Sequence, residues 1–347
     1  MMFGAAGLRT HIWNNNLKSI LLLAGFPVLL TLIGYAIALV IIAMTGEGDY
    51  MAGKGYAGEA TLGQSMMAAV NILPEIAVFA TIGAGIWFII AWFGHQAMIN
   101  AATGASSVTR KDEPRFYNLL ENLCISRGMT IPKMAIIETP GLNAYASGLT
   151  EGQYTVTVTR GLMETLNDAE LEAVLAHELS HIRHRDVRLL VIAIIFVGII
   201  SFAGEIAFRG MLHGGLRASS QAGSRRGGGS RNGGALIFIA LACIAIAYIL
   251  AILIRFSLSR RREYMADAGA VELTRNPDAM ISALAKISGH SEVGDAPDEV
   301  REMFIENPHT GFMGVFATHP PIEKRIEMLV QYGGGKLPQR MSSVPQV

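Results

Sequence analysis

The sequence predicts an α-helical membrane protein with about four transmembrane helices and a small α+β domain. Its 347 residues are 51% hydrophobic and only 16% charged, short of the roughly one-quarter charged usual in soluble globular chains. Four runs, roughly Leu21 to Met44, Leu73 to Phe93, Leu189 to Phe208 and Ala235 to Ile254, approach or exceed the roughly 20 residues that cross a bilayer as helix. Stretches of soluble-domain composition lie between and after these runs. Lys plus Arg equals Asp plus Glu at 28 each, so no global basic field favours nucleic acid as a partner. Cys124 sits in a polar segment and Cys243 in an apolar one, which speaks against a stapling disulfide and gives no zinc-finger pattern.

Residues 1–100 read as a first membrane hairpin. Arg9, His11 and Lys18 ahead of an apolar run resemble a signal peptide. The run is too long for a signal core and lacks a small-residue cleavage site before Thr45, so an uncleaved anchor is expected. The loop "TGEGDYMAGKGYAGEATLGQ" sets Glu47, Asp49 and Glu59 against Lys54 alone. Arg9, Lys18, Arg110, Lys111 and Arg115 flank the other side of the pair. The cytoplasmic bias of Lys and Arg therefore puts the N-terminus and the chain after about Asn100 in the cytoplasm, and the loop at 45–72 outside.

Residues 101–186 form the first part of the soluble domain. "KMAIIE" (Lys133 to Glu138), "NAYAS" (Asn143 to Ser147) and "YTVTVT" (Tyr154 to Thr159) predict short strands, with turns at Pro140-Gly141 and Glu151-Gly152. In "TLNDAELEAVLAHELSHIRHRD", Asn167 is an N-cap with Glu170 three residues on, and Leu171, Val174, Leu175, Leu179 and Ile182 follow at helical spacing. That helix either continues into the third apolar run or kinks near it. Residues 187–256 then form a second hairpin around a Gly/Ser/Arg-rich, disordered loop at 209–234. The five arginines of that loop argue for the cytoplasm, but both flanking runs are long enough to span, so the hairpin is preferred and Glu205 falls at the far interface. Residues 257–347 complete the soluble domain, and the stretch from about His290 to His309 reads either as a lid or as a plain connection.

The chemistry concentrates in His177-Glu178-Leu179-Ser180-His181. Positions four apart share a helical face, so two imidazoles can address one ion, and Glu178 beside the first can take a proton from an activated water. An amphipathic helix carrying histidines on its polar face would show the same caps and apolar spacing. His184 points away and is read as part of the basic Arg183-His184-Arg185 cluster at the membrane surface rather than as a third ligand. Glu263 and Asp267 in "REYMADAGA" also share a face. One of them can complete a two-His, one-carboxylate zinc site while the other accepts a ligand's free ring N–H.

"HELSHIRHRD", "EYMADAGA", "NAYASG" and "FATHPPIEKRI", in that family-like arrangement, resemble the HtpX-type integral-membrane zinc metalloproteases, within the larger group that includes the CAAX prenyl proteases. The likeness runs from the paired N-terminal segments to about Leu329. It implies a zincin-like catalytic domain with a small edge-strand sheet beside the zinc helix. His177, His181 and Glu263 match the ligands of Zn2+, Glu178 the base and Asp267 the acid behind a ligand. Asn143, Ala144, Tyr145 and Ala146 match an edge strand for polypeptide substrates. His319 matches a histidine with a role at the oxyanion, although Pro320 and Pro321 also make it a plain helix start. Arg325 is expected to make a structural contact. The likeness further implies quality control of unfolded or membrane-embedded proteins at a bacterial inner membrane, with the protein multi-pass in the bilayer and its site on the cytoplasmic side. Rival readings are a narrow processing protease and a non-catalytic zinc scaffold. Glu178 argues against the scaffold, because a structural zinc closes its fourth position and needs no base.

Overall fold

The computed structural model describes residues 8–45, 61–195, 233–256, 261–294, 298–306 and 319–336. Glu205, residues 209–232 of the Gly/Ser/Arg-rich loop, residues 46–60 of the first loop, the later part of the third apolar run, and Pro297, Pro308 and His309 lie outside the described residues.

Apolar composition decides the first helices. Helix α1 (Leu8–Thr45) begins well before the first apolar run, since nothing between Leu8 and Leu21 breaks it. Helix α2 (Leu62–Asn71) starts on a capping box between Thr61 and Gln64, and α3 (Leu73–Thr103) follows after Ile72. Two stretches, Ile12–Ala43 and Leu73–Thr103, are long and apolar enough to cross a membrane. On α3, Val78, Phe79, Ile82, Ile86, Ile89, Ile90 and Phe93 all point outward uncovered, an arrangement that lipid tolerates and water penalises. Four spans were expected, and two are found among the described residues. The third run is described only to 195, as the start of helix α7 (186–195). The fourth lies in α8 (Gly233–Phe256), of which only the shorter apolar stretch Gly234–Ala247 is recognised.

The chain divides into two compact units. One joins Ile20–Ala91 with Ile195–Arg255. Its core packs Leu39, Ile42 and Leu236 among Ala36, Ala68, Ala69 and Ala240, whose small side chains let helices approach closely.

The other unit joins Met1–Ser19, Trp92–Ile194 and Phe256–Val347. Its sheet runs β1-β2-β4-β3, from β1 (Ala105–Val108), β2 (Lys133–Ile137), β3 (Ala144–Ser147) and β4 (Thr155–Thr159). Strand β2 is parallel to β4 and the other pairings are antiparallel, which leaves β3 at an edge. Strand β1 was not expected: "ASSV" is too short and polar to signal a strand, and it forms by pairing with β2. The alternation in β4 predicts one wet face, yet all five of its residues are buried, so tertiary packing overrides the pattern.

Around the sheet lie α4 (Pro114–Arg127), α5 (Arg160–Thr165), α6 (Asp168–His184), α9 (Arg261–Thr274), α10 (Pro277–Ile287), α11 (Asp298–Arg301) and α12 (Ile322–Gly333). Asn167 and Glu170 form the capping box that the sequence predicts for α6. The helix stops at His184 because Arg185 turns left-handed, at φ 61°, with its N–H donating to the carbonyls of His181 and Ile182. Helix α9 packs against α6 at Gly269, where a methyl group would collide with the Ser180 side chain.

Glu170 also ties α6 to α10, accepting from Lys286 Nζ and Ser282 Oγ, each at 2.6 Å. Burial opposes its ionisation, but Lys286, Ser282 and the cap outweigh burial and hold its carboxyl below the usual value. Glu170→Gln keeps a capping oxygen and loses the charge, and is expected to cost about 1 kcal/mol at neutral pH. A folded-state pKa below the unfolded one stabilises above the unfolded value and is lost as pH falls through the folded value. Thermal unfolding in detergent should therefore show the gap between variant and wild type closing below about pH 4.

Candidate metal centre

Helix α6 presents His177 and His181 one turn apart, with their Nε2 atoms 3.1 Å from each other. Helix α9, brought close by Gly269, supplies Glu263, whose oxygens lie 3.6 Å from His177 Nε2 and 3.7 Å from His181 Nε2. Ligand atoms of the three residues all lie within 4.8 Å of one another and all three side chains are buried. Two imidazole nitrogens sharing one tetrahedral zinc would stand roughly 3.3 Å apart. The donor set therefore fits that ion. Among the described residues, Glu263 Oε2 is buried and accepts no hydrogen bond, with Arg325 Nη1 standing off at 3.8 Å.

Carboxylates behind the ring nitrogens fix how the histidines point. Asp267 Oδ1 lies 2.9 Å from His177 Nδ1, and Asp186 Oδ2 lies 3.2 Å from His181 Nδ1. With Nδ1 donating to its carboxylate, each ring in its neutral form would turn the Nε2 lone pair toward the shared point. Asp267 is the acid singled out in the sequence. Asp186 was not singled out, because only the left-handed turn at Arg185 folds it back onto the helix it follows. Asn15, on the first candidate span, donates to Asp186 Oδ1 at 2.6 Å and to the His184 carbonyl at 3.1 Å. His184 itself is buried, not displayed at a surface, and its Nδ1 lies 3.9 Å from Asp186 Oδ2, away from the cluster of three.

Arg325 is fully buried and grips Asp267 with two bonds, Nε to Oδ2 at 2.9 Å and Nη2 to Oδ1 at 2.6 Å, while Nη1 donates to the Ile305 carbonyl. Its signal was present in the sequence. Ile322, Ile326 and Leu329 make the apolar stripe of α12, and Arg325 occupies a position inside that stripe. Arg262 is a second unforeseen member, a buried guanidinium lining the cavity 3.6 Å from Glu263 Oε1.

The charges of the cluster act strongly on one another. Burial opposes ionisation of Glu263, but His319 and His181 outweigh it and hold that carboxyl well below its ordinary range. Burial disfavours the His181 imidazolium, yet Glu263 and Asp186 outweigh it and push the ring up to about 10. A proton and a metal compete for that position. Glu178, buried beside the two histidines, is pushed above the usual carboxylate value by desolvation.

Glu178, the three clustered residues, Ala146 and His319 all line one cavity. Residues 302–305 line it as well. Ile305 N–H donates to the Ala144 carbonyl at 2.9 Å and His319 Nε2–H to the Glu302 carbonyl at 3.0 Å, while His319 Nδ1 faces Glu263 Oε2 at 3.4 Å. Of the expected edge-strand residues, Asn143 acts as a clamp, its amide donating to the Ser291 and Glu306 carbonyls. Thr159 N–H bonds the Asn143 carbonyl, so Asn143 and Tyr145 turn their backbone toward β4, and Ala144 and Ala146 turn theirs outward. Ala144 is already engaged on both groups, its N–H by Asn143 Oδ1 and its carbonyl by Ile305. Tyr145 is buried against Phe304, with its hydroxyl 3.1 Å from Thr103 Oγ1.

Residues 110–332 match the sequence profile of peptidase family M48. A protease HtpX homolog of Bacteroides fragilis is 46% identical over 334 residues, 94% of this chain and 99% of that protein. A protease HtpX homolog of Listeria monocytogenes is 41% identical over 265 residues, 75% of this chain and 87% of that protein. The crystal structure of S. mikatae Ste24p overlaps 75% of this chain and 59% of its own, with 17% identity and a TM-score of 0.44.

Asp186→Asn should weaken zinc retention roughly 10- to 100-fold, the usual loss when the partner of a ligand histidine is removed. Competition against a chelator of known affinity reads this directly, and wild-type affinity in the variant would remove Asp186 from the centre.

Proposed function

Because the chain belongs to peptidase family M48, among its HtpX-type members, and is a metallopeptidase, we propose that it is a zinc-dependent membrane endopeptidase of protein quality control. On this reading it acts on misfolded or damaged proteins at a bacterial inner membrane, from a site on the cytoplasmic side. The supporting observation is the pair of Nε2 atoms 3.1 Å apart, each ring backed by its own carboxylate and both facing Glu263. His177, His181 and Glu263 would hold zinc. The ion supplies Lewis acidity, polarising a peptide carbonyl and making a water acidic near neutral pH.

The chain's own groups do the rest. Glu178 takes a proton from the attacking water as its oxygen bonds to the scissile carbon. The same carboxyl then gives the proton to the leaving nitrogen as the C–N bond breaks. Its raised pKa brings acceptor and donor roles closer to neutral pH. Asp267 and Asp186 keep the two rings from turning. When a substrate displaces the segment 302–305, His319 Nε2–H loses the Glu302 carbonyl and becomes a donor for the carbonyl oxygen under attack. Displacement also frees the Ala144 carbonyl. A substrate then lies along Ala144 and Ala146 as an added strand, held through its backbone, with Asn143 and Tyr145 shaping the strand from behind. Backbone recognition is indifferent to most side chains, which suits a protease of damaged proteins. The two candidate spans would keep the site near membrane-embedded ones.

Detergent-purified protein reloaded with zinc should cleave an unfolded test protein. Glu178→Gln should lower that rate about 10²- to 10⁴-fold while zinc stays near one per chain. A zinc-loaded variant as active as wild type would eliminate Glu178 as the base. Zinc-loaded wild type that cleaves nothing would count against the proposal itself.

A further inference from the structure

On the unit that carries the metal centre, a second cavity of about 450 Å³ opens beyond the end of α6, within the roughly 300–1,000 Å³ common for small-ligand pockets. Arg183, Arg185, Arg188, Tyr154 and Thr150 line it, and Glu151 is the one carboxylate among its lining residues. Among the described residues these arginines are only weakly matched by acids. Arg183 reaches Glu272 only at 3.9 Å, and Glu272 is held closer by Arg127, at 3.0 Å. Arg185 makes one long bond, 3.4 Å, to Asn16 Oδ1. Arg188 makes no hydrogen bond or ion pair among the described residues, and its Nε is buried.

Arg185 carries a further sign. It holds the left-handed conformation that ends α6, at φ 61°, a position where glycine costs nothing and a long side chain is disfavoured. A guanidinium held at a backbone cost, beside another with no partner among the described residues, is the arrangement that an anion would relieve. Ile12, the first residue of the first candidate span, also lines the cavity, which sets it at the level where that helix would enter the bilayer.

We propose that this cavity binds a phosphate ester through Arg185, Arg188 and the Tyr154 hydroxyl, and that its source is the headgroup of an anionic phospholipid. The planar guanidinium matches phosphate oxygens two at a time, and basic pockets beside membrane helices favour anionic over zwitterionic lipid.

The test uses the full chain in neutral detergent, titrated with short-chain phosphatidylglycerol, short-chain phosphatidylcholine, glycerol 3-phosphate and inorganic phosphate, with binding read by calorimetry. Phosphatidylglycerol should bind about tenfold or more tighter than phosphatidylcholine, and more weakly as salt is raised. Arg188→Gln should lose about tenfold of that affinity and Arg188→Lys less, with unfolding temperature in lipid-free detergent unchanged. Arg185→Gly should also lose lipid affinity while keeping or raising that temperature, which separates a ligand role from a structural one and serves if Arg188→Gln fails to fold. Equal binding of the two lipids, or wild-type affinity in a folded Arg188→Gln and in Arg185→Gly, would overturn the site. Glycerol 3-phosphate or inorganic phosphate binding as tightly as phosphatidylglycerol would overturn the assignment to lipid.

Discussion

One buried carboxylate organises the catalytic unit. Asp267 accepts from Arg325 on both oxygens and lies within hydrogen-bond distance of His177, so α6, α9 and α12 meet at a single charged group. Burying Asp267, Glu263 and Arg325 carries a large desolvation cost that only mutual pairing offsets. Removing one partner would strand the others, so the cluster constrains the relative placement of the three helices. Burial opposes the charge on Asp267, and Arg325 more than compensates, holding its carboxyl below the ordinary value. Gly269 is the steric counterpart of this pairing, since it lets α9 come close enough for Glu263 and Asp267 to reach His177.

The end of α6 does for His181 what α9 does for His177. A straight continuation of the helix would carry Asp186 away from the histidines. The left-handed Arg185 returns it to His181 Nδ1, and Asn15 anchors it from the first candidate span. One backbone reversal thereby sets the orientation of His181, ties the candidate metal centre to the start of the first candidate span, and places Arg185 and Arg188 along a separate basic cavity. The placement of 302–305 belongs to the same design. Through Ile305 and Glu302 it engages the β3 edge, Arg325 and His319 together, so its displacement would expose strand edge and ring in one movement.

Much of this is legible in the sequence alone. The Asn167–Glu170 box, the helical spacing of His177 and His181, the fourfold spacing of Glu263 and Asp267, and three of the four strands are local signals, each set by residues within a turn or a strand of one another. Contacts between distant segments were not legible. Asp186 needs a backbone reversal that no residue type announces, since arginine is not a left-handed residue by preference. Strand β1 exists only through β2. Arg325 was half legible, as a charge inside an apolar stripe, but its partner lies 58 positions earlier in the chain. Asn143 matched a substrate-facing strand, yet its side chain serves the fold, and which backbone groups face outward emerges only from the pairing of β3 with β4.

The most direct test of the proposed centre is zinc K-edge X-ray absorption on the purified, zinc-loaded chain. Two imidazole nitrogens and carboxylate or water oxygens at about 2.0–2.1 Å, with no sulfur, are the predicted shell. Sulfur scattering near 2.3 Å would instead place zinc on Cys124 or Cys243, and a shell without imidazole would contradict His177 and His181 as its ligands.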